Sequence, residues 1–476
     1  MVKKSNKPSK FSRLVIYPVV GIFFIFLLVY VLTLASGYKL FIDKGLVSFQ
    51  KTGMIIVSSK PADAKIYLDG KYANSKTTLP FLSVRIADVK PGKHTIAIEK
   101  IGYQTWSKTI LVKANMVSWA NYTLLFPNSI KSSEISDLED LKLLSVSDNK
   151  RYFLYSKISA KNETLLYQYD VNNDNFKSIW PIANKTLTEA WLQNPQIISA
   201  NLNNNSKVFL KLKNNASEET VILDFSKTEP AYSYRFDPSK YPMTKTEWNP
   251  KNQNELISTM SGSLYRLVLE NNGQISQNLL DKNIVDFSVD SSGTIFYVQD
   301  LTAGYVVARI QPDGSGKNNI AESVEKSKSY QFAYSRQKNY LALLPNDTKN
   351  LTAYYQANGA KTSLQLDQKI LGIEWNKDGT RLAYFDGELA KVYDFEKMEE
   401  KTVDIGTKIN MITWYYDESH LLVQGETGLF VVEYDGFNKT ELASKANQVS
   451  VFNQSSVFYS TLKGNVKSYY KINLNF

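Results

Sequence analysis

The sequence predicts an all-β exported region behind one amino-terminal transmembrane helix. Three observations carry this prediction: an apolar run that follows a basic tail, short alternating segments between turn residues, and a weak unit that recurs along most of the chain. Tyr (30) and Phe (23) are abundant, which favours strands outside the membrane. At 476 residues the chain has room for two packed domains, since single cores stop growing near about 250 to 300 residues.

An uncharged apolar run predicts that the protein is held in a membrane. Residues 14–36 form the expected transmembrane helix, because at roughly 1.5 Å per residue the run is long enough to cross a hydrocarbon layer of about 30 Å. Residues 1–13 form a basic tail, which predicts a cytoplasmic amino terminus and exported carboxyl-terminal domains in the cell membrane. The cations of this tail are Lys3, Lys4, Lys7, Lys10 and Arg13.

A cleaved signal peptide is the alternative explanation of the same segment. Leu34-Ala35-Ser36 fits a small-residue cleavage site, but the apolar region of a signal peptide spans only about 7 to 15 residues. The longer run favours a retained anchor.

Composition and charge exclude some kinds of chemistry and locate others. With no Cys, the chain has no disulfide, thiolate metal site or thiol nucleophile, and His94 and His420 are its two histidines. Residues 39–126 carry 13 basic and five acidic side chains, whereas residues 127–476 carry 38 and 41. The basic module is expected to meet anionic lipid head groups or a cell-wall polymer, or else to be an ordinary solvated surface. No nucleic-acid partner is expected.

Residues 53–126, between linkers at 37–52 and 127–139, have the pattern of a compact antiparallel β-sandwich. Apolar and polar residues alternate there, as in His94-Thr95-Ile96-Ala97-Ile98. Asp69-Gly70 predicts a tight hairpin, because glycine adopts positive φ at little cost.

This segment resembles the PEGA domain, a small β-sandwich of exported bacterial and archaeal surface proteins. Ala62-Asp63 stands where the family has Glu-Gly, so the turn is made without its glycine, which aspartate tolerates. His94 falls where the family has a structural histidine. The resemblance implies a binding or spacing module without chemistry of its own. Its motifs are Ser59-Lys60-Pro61-Ala62-Asp63-Ala64, Ile66-Tyr67-Leu68-Asp69-Gly70, Thr77-Thr78-Leu79-Pro80, Val89-Lys90-Pro91-Gly92-Lys93-His94 and Gly102-Tyr103.

A weak unit recurs over residues 140–476 and predicts a β-propeller of seven or eight blades. Each copy has an aromatic or apolar anchor, a polar turn and a short strand, and the spacing, mostly about 40 residues, is the period of a four-stranded blade. The copies at Trp375 and Phe287 resemble the Trp-Ser-Pro-Asp-Gly unit of TolB-like and WD-repeat propellers, which supports the architecture more than any activity. The anchors are Leu144, Trp191, Trp248, Phe287, Tyr334, Trp375, Trp414 and Phe452.

These repeats are interpreted as structural. The anchor aromatics are expected to pack between neighbouring sheets, the Asp-Gly turns do not form a calcium loop, and His420 is expected to be an exposed or half-buried turn residue. The sequence contains no nucleophile elbow, zinc-binding helix motif or phosphate loop, so it predicts no catalytic, cofactor-binding or metal-binding residue and no cofactor. Two acids from distant blades can still converge at a propeller centre, as in some glycosidases.

The sequence therefore predicts a non-enzymatic binding or scaffold protein, anchored in a prokaryotic cell envelope by one transmembrane helix. Its expected partner is a cell-wall polymer or an envelope protein. The alternative is a propeller-type hydrolase or lyase that acts on envelope polysaccharide. A sensor is disfavoured, since a tail of about 13 residues is too short for a signalling domain.

Overall fold

The computed structural model describes the chain except for residues 1–9, 36–37, 44–45, 74–82, 136–139, 161–163, 181–195, 205–206, 215–216, 226–230, 336, 358–359, 454–455, 464–465 and 475–476. The described chain divides into two compact units, one up to Ser129 and one over Ile130–Leu474. Apart from one amino-terminal helix, the described elements are almost all strands, so the expected all-β fold class is confirmed.

The first unit begins with a long apolar helix, α1 (Lys10–Ala35). Within it, Ile16–Thr33 has a mean hydropathy of 2.5 and is long and apolar enough to cross a membrane. Pro18 lies inside this helix, near its amino-terminal end. The side chains of the window are exposed to the surroundings rather than covered by protein.

A hairpin follows in the segment that the sequence analysis treated as a linker. Strand β1 (Tyr38–Asp43) pairs antiparallel with β2 (Leu46–Lys51). The pattern did not predict these strands because Leu40, Phe41 and Ile42 follow one another without alternation.

The sandwich has two sheets around one core. The three-stranded sheet has the order β6-β3-β9, and the four-stranded sheet has the order β5-β4-β7-β8. The expectation of a purely antiparallel sandwich is wrong in one pairing, since β3 and β9 run parallel. The strands are β3 (Gly53–Lys60), β4 (Lys65–Leu68), β5 (Lys71–Tyr72), β6 (Val84–Val89), β7 (Gly92–Glu99), β8 (Trp106–Val112) and β9 (Val117–Leu124).

Two turns of the sandwich behave as their residues predict. Asp69 and Gly70 have φ values of 49° and 77°, the left-handed pair that a two-residue hairpin between β4 and β5 needs, so the predicted hairpin is confirmed. Asp63, which replaces the glycine of the resembled motif, has a φ of 64°. Aspartate therefore takes the left-handed conformation that glycine provides elsewhere. The core is filled by apolar residues such as Ile55, Val57, Ile96 and Trp106.

The second unit contains eight four-stranded sheets among the described residues. Seven of them, sheets 1 to 7, each consist of four strands that are consecutive in the chain. Sheets 1 to 3 are formed by β11 (Lys142–Val146), β12 (Tyr152–Ile158), β13 (Thr164–Asp170), β14 (Asn175–Trp180), β15 (Gln196–Leu202), β16 (Lys207–Asn214), β17 (Ser217–Asp224), β18 (Ala231–Phe236), β19 (Met243–Asn249), β20 (Asn252–Met260), β21 (Ser263–Leu269) and β22 (Ile275–Lys282).

Sheets 4 to 7 repeat the same antiparallel order, which is the pattern of propeller blades. Their strands are β23 (Ile284–Val289), β24 (Ile295–Leu301), β25 (Gly304–Ile310), β26 (Asn318–Val324), β27 (Tyr330–Ser335), β28 (Tyr340–Pro345), β29 (Leu351–Ala357), β30 (Ala360–Asp367), β31 (Gly372–Trp375), β32 (Arg381–Phe385), β33 (Ala390–Asp394), β34 (Glu399–Val403), β35 (Ile409–Trp414), β36 (His420–Gly425), β37 (Gly428–Glu433) and β38 (Thr440–Ser444).

Sheet 8 joins the two ends of this unit. It contains β39 (Gln448–Asn453), β40 (Ser456–Lys463) and β41 (Val466–Asn473), and β10 (Ser132–Glu134) pairs with β41. Strand β10 lies in the segment 127–139 that the sequence analysis assigned to a linker. Its three residues are polar or charged and exposed, which is why no strand pattern marks it.

Apolar clusters fill the spaces between consecutive sheets. One cluster joins sheets 6 and 7 through Val392, Ile412 and Leu421, and another joins sheets 4 and 5 through Val298, Val307 and Leu341. Because one twisted sheet cannot bury both of its faces alone, each sheet depends on its two neighbours.

At Gly379, the first turn of sheet 6 lies directly against strand β27 of sheet 5. Its φ is 67°, and an added Cβ would stand 1.8 Å from the Ser335 Oγ atom, which donates a hydrogen bond to the Gly379 carbonyl. Glycine is required there for both backbone conformation and space.

We expect Gly379→Ala to lower the free energy of unfolding by about 2 to 4 kcal/mol, from backbone strain plus the clash with Ser335. Gly273→Ala is the matched control, because Gly273 has a φ of 81° but nothing within 4 Å of an added Cβ. The control should lose only about 1 to 2 kcal/mol. Denaturant unfolding followed by tryptophan fluorescence measures both, and equal losses would contradict the steric explanation.

Candidate functional site

A cavity of about 490 Å³ lies among the innermost strands of the propeller. Its walls come from five sheets, because the first strand of each of sheets 1, 4, 6 and 7 and strand β39 of sheet 8 contribute side chains. We call it the axial cavity. It is lined by Val146, Ser147, Asp148, Lys150, Val289, Ser291, Glu374, Met411, Ile412, Thr413 and Val449.

Glu374 is the acidic group inside the wall of the axial cavity. Burial raises the pKa of its carboxyl, while the charge of Lys150 from sheet 1 and a hydrogen bond from the Thr413 hydroxyl (3.2 Å) oppose that rise. A carboxyl with a raised pKa that faces a cavity has the properties of a general acid or of a hydrogen-bond donor to a ligand.

Asp148 is a second acid in the same wall. Its side chain is accessible to water in the cavity, yet the surrounding protein displaces bulk water and raises the pKa of the carboxyl. Asp148 and Glu374 come from sheets 1 and 6, so the propeller does bring two acids from distant repeats to one cavity.

Other acids near the axis are held by cations and backbone amides. Lys245 contacts Glu247 at 3.3 Å and Asp286 at 2.9 Å, and Glu247 accepts a hydrogen bond of 2.7 Å from the Val289 amide. Asp286 also accepts from the Tyr330 amide at 2.7 Å. This network connects sheets 3, 4 and 5, and its acids therefore have a structural explanation.

A second cavity, of about 440 Å³, lies where sheets 7, 8 and 1 meet; we call it the seam cavity. It shares Val146, Met411 and Val449 with the axial cavity, so the two adjoin. Its other lining residues are Leu143, Phe153, Tyr155, Asn410, Gln424, Asn447, Gln448, Phe458, Tyr459 and Tyr469.

The floor of the seam cavity is aromatic and uncharged. The rings of Tyr155 and Tyr469 are 4.9 Å apart at an edge-to-face angle, and those of Phe153 and Phe458 are 5.6 Å apart. Burial raises the pKa of Tyr469 to about 12, so its phenol is neutral. The Tyr469 hydroxyl donates to the Leu141 carbonyl at 2.8 Å, which fixes the ring.

The rim of the seam cavity consists of carboxamides. The exposed side chains are Asn410, the second residue of β35, Gln448, the first residue of β39, and Asn447, which directly precedes β39. Buried Gln424 donates to the Asn447 carbonyl at 2.9 Å, and Lys467 donates to the Gln448 side chain at 2.7 Å. Such a rim offers both donors and acceptors to a ligand that carries no charge.

The anchor aromatics are structural, as the sequence analysis expected. Three anchor indoles donate hydrogen bonds to the innermost strand of the preceding sheet: Trp248 to Asn201 at 2.9 Å, Trp375 to Ala333 at 2.9 Å and Trp414 to Glu374 at 3.0 Å. Trp191 and the side chain of Phe452 lie outside the described residues. The sequence analysis did not select Glu374 or Thr413, although each directly precedes an anchor tryptophan. That position was the signal, because a strand turns adjacent side chains to opposite sides.

The two histidines are both held by carboxylates. The two ring nitrogens of His94 lie 2.7 Å from Asp69 and 2.7 Å from the Lys90 carbonyl, which supports the structural role that was expected. The expectation that His420 is exposed or half-buried is wrong: it is buried, and its Nδ1 lies 2.6 Å from Asp417. The sequence pattern assigned His420 to the turn because the polar residues before it gave no sign that β36 begins at His420 itself. Among the described residues, no group of three or more His, Asp or Glu side chains is arranged to hold a metal ion.

The comparison with family models identifies one segment of the chain. Residues 52–125 match the model of the PEGA domain. No curated protein matches the chain. Among solved structures, Sqt1 from Chaetomium thermophilum is 10% identical with a TM-score of 0.47, covering 72% of this chain and 100% of its own.

Two further solved structures have comparable likeness. Kluyveromyces lactis Hsv2 is 12% identical with a TM-score of 0.39, over 68% of this chain and 95% of its own. A structure described as one of two prolyl endopeptidases is 12% identical with a TM-score of 0.44, over 68% of this chain and 54% of its own. The sheet order within this chain, rather than these likenesses, defines the propeller architecture.

A carboxyl at the contact between sheets 6 and 7 makes stability depend on pH. Glu418 accepts a hydrogen bond from the Lys377 amide, and burial raises the pKa of Glu418 from 4.5 to about 7. Between these values the folded protein binds more protons than the unfolded chain. This group's contribution is therefore complete at low pH and is lost as the pH rises through about 7.

We expect Glu418→Gln to remove this loss, because the amide oxygen still accepts from Lys377 but carries no charge. The variant should match the wild type at pH 4, below both pKa values, and melt about 1 to 3 °C higher at pH 8. Thermal unfolding at both values measures the difference. An equal effect at pH 4 and pH 8 would show that the carboxyl does not titrate in this range.

Proposed function

We propose that this chain is a single-pass, membrane-anchored binding protein of a prokaryotic cell envelope. The order of its segments carries the proposal: a basic tail, an apolar helix, a PEGA domain and a propeller. The cations before the helix favour retention of the amino terminus in the cytoplasm, and the PEGA match supports export of the rest.

The propeller supplies the ligand site in this proposal. The seam cavity combines a neutral aromatic floor with a carboxamide rim, which suits a chain that has an apolar face and hydroxyl or amide groups along its edge. A glycan strand has this chemistry. Among the described residues, the charged group at the rim is Lys467, which lies beside Gln448. A rim with so little charge disfavours a strongly acidic or basic ligand at this cavity.

One observation favours the second candidate, a hydrolase or lyase that acts on envelope polysaccharide. Glu374 and Asp148 line the same axial cavity, and the pKa of each is raised. Glycoside hydrolysis uses two carboxyl groups in one site, of which the general acid has a raised pKa. The axial cavity adjoins the seam cavity, so a bound glycan strand would pass near both acids.

The membrane topology is tested in cells whose cytoplasmic membrane is intact. We expect externally added protease to digest the sandwich and the propeller in cells whose outer layers have been opened, and to leave a tag at the amino terminus intact. A fusion with the tag at the carboxyl terminus serves as the matched control. Protection of the carboxyl-terminal tag until the cells are lysed would refute export of these domains.

Glycan binding is tested with purified full-length protein in detergent and labelled N-acetylglucosamine oligomers. The double variant Asn410→Ala/Asn447→Ala should bind about 5- to 50-fold more weakly, since it loses two hydrogen bonds worth about 1 kcal/mol each. Gln277→Ala/Asn278→Ala, on the exposed outermost strand of sheet 3, is the matched control and should bind normally. Binding should be insensitive to salt, because the ligand is uncharged.

The same preparation separates binding from catalysis. Cleavage of the oligomers or of solubilised cell-wall glycan by the wild type, lost in Glu374→Gln, would establish the second candidate. Equal binding by the wild type and the Asn410→Ala/Asn447→Ala variant would show that the seam cavity is not the binding site.

A further inference from the structure

The corner between β8 and β9 exposes four large apolar side chains within nine residues: Leu111, Met116, Val117 and Trp119. Trp119, 55% exposed, stands on the outer face of the three-stranded sheet, in register with Ile56 and Arg85 of the adjoining strands. Exposed apolar side chains that lie close together mark sites of interaction with a protein or a membrane. We call these four residues the β8–β9 corner.

The β8–β9 corner lies at the end of the sandwich where the chain arrives from the helix. The Asn115 amide donates to the Thr52 carbonyl at 2.8 Å, and the Met54 amide donates to the Met116 carbonyl at 3.1 Å. Gly53 permits this approach, since an added Cβ would stand 2.5 Å from the Lys113 carbonyl oxygen. The corner is therefore fixed beside the residue that follows β2.

The hairpin β1–β2 connects this end of the sandwich to α1. Its aromatic residues Tyr38 and Phe49 line a cavity with Val29, Leu32 and Thr33 at the carboxyl-terminal end of the helix. Lys39 forms a salt bridge of 3.2 Å with Asp88 of the sandwich. These contacts join the helix end, the hairpin and the β8–β9 corner into one connected stretch of the first unit.

The charges around this stretch are mainly positive. Lys51 lies over the Tyr38 ring at 5.3 Å, and Lys113 is exposed in the turn before Met116. Residues 39–126 as a whole carry 13 basic and five acidic side chains. A second copy of the same surface would be repelled, whereas anionic lipid head groups would be attracted.

We propose that the β8–β9 corner binds the head-group region of the bilayer that holds α1. Trp119, Met116 and Val117 insert at the boundary between head groups and acyl chains, and Lys51 and Lys113 meet lipid phosphates. Tryptophan is enriched at this depth because its ring is apolar and its N–H needs a polar partner. The proposal rests on the membrane anchor proposed above, and it makes the sandwich a membrane-bound base rather than a free spacer.

The absence of cysteine makes the test direct, because a single introduced thiol can be labelled. Full-length protein carrying Met116→Cys, Ile101→Cys or Leu27→Cys is labelled with a polarity-sensitive fluorophore and reconstituted into nanodiscs that contain anionic lipid. Ile101 is the matched control: it is apolar and 98% exposed, and it lies in the turn at the opposite end of β8. Leu27, inside α1, reports on the anchor. Lipids with a nitroxide near the head group or deep in the chain act as quenchers.

We expect the head-group nitroxide to quench the label at 116 at least about threefold more than the label at 101, with the difference reduced in zwitterionic lipid and by Lys113→Glu. The deep nitroxide should quench the label at 27. Equal quenching at 116 and 101, with 27 quenched, would refute the docking while leaving the anchor intact. A label at 116 that is shielded from water but not quenched would show a protein partner or a second copy and would also refute it. Loss of quenching at 27 would overturn both proposals.

Discussion

The second unit depends on the pairing of β10 with β41. Ser132 and Glu134 are in register with Ile472 and Tyr470, so residues from the start of the unit complete the sheet formed by its end. The Ile135 amide donates to the Tyr469 carbonyl at 2.9 Å, and the Leu143 amide donates to the Tyr469 hydroxyl at 3.1 Å. Because each sheet buries its faces only against its neighbours, a stack with two open ends would expose apolar faces on the first and last sheets. This pairing brings those ends together.

The closing contact also explains where the seam cavity lies. At three other junctions the consecutive sheets are joined by anchor indoles, as Trp375 joins sheet 6 to sheet 5 and Trp414 joins sheet 7 to sheet 6. At sheets 8 and 1 the contact is aromatic: Tyr155 meets Tyr469 edge to face, and Phe153 meets Phe458 at a tilted angle. The carboxamides Asn410 and Gln448 lie on the neighbouring innermost strands. Planar rings and short amides leave space that branched aliphatic side chains would fill. The same departure from the repeat that closes the propeller thus leaves room for a ligand.

The sequence predicted those features that depend on a few neighbouring residues. Asp69-Gly70 identified its hairpin because positive φ at two consecutive positions is a local requirement. Trp248, Trp375 and Trp414 marked the repeat because these three anchors make the same contact. The hairpin β1–β2 and strand β10 were missed because their stability comes from pairing partners that no alternation of apolar residues reveals. His420 was misplaced because the turn before it hid the start of β36. Glu374 was not selected because its proximity to Lys150 arises from sheets far apart in the chain. Such long-range properties are fixed by the closing of the propeller, not by local pattern.

The charge distribution supports the proposal that the two units bind their partners through different kinds of interaction. The sandwich and its hairpin carry a clear excess of cations, whereas residues 127–476 carry 38 basic and 41 acidic side chains. At physiological salt an exposed charge acts over about 8 to 10 Å, so the field of those cations is felt close to their own surface. Selection at the seam cavity must then come from short-range complementarity, in which buried amides such as Gln424 hold the rim and neutral tyrosines form the floor. Under the two proposals, attachment of the sandwich responds to salt and ligand binding by the propeller does not, so a change in ionic conditions at the membrane would leave the propeller's choice of ligand unaltered.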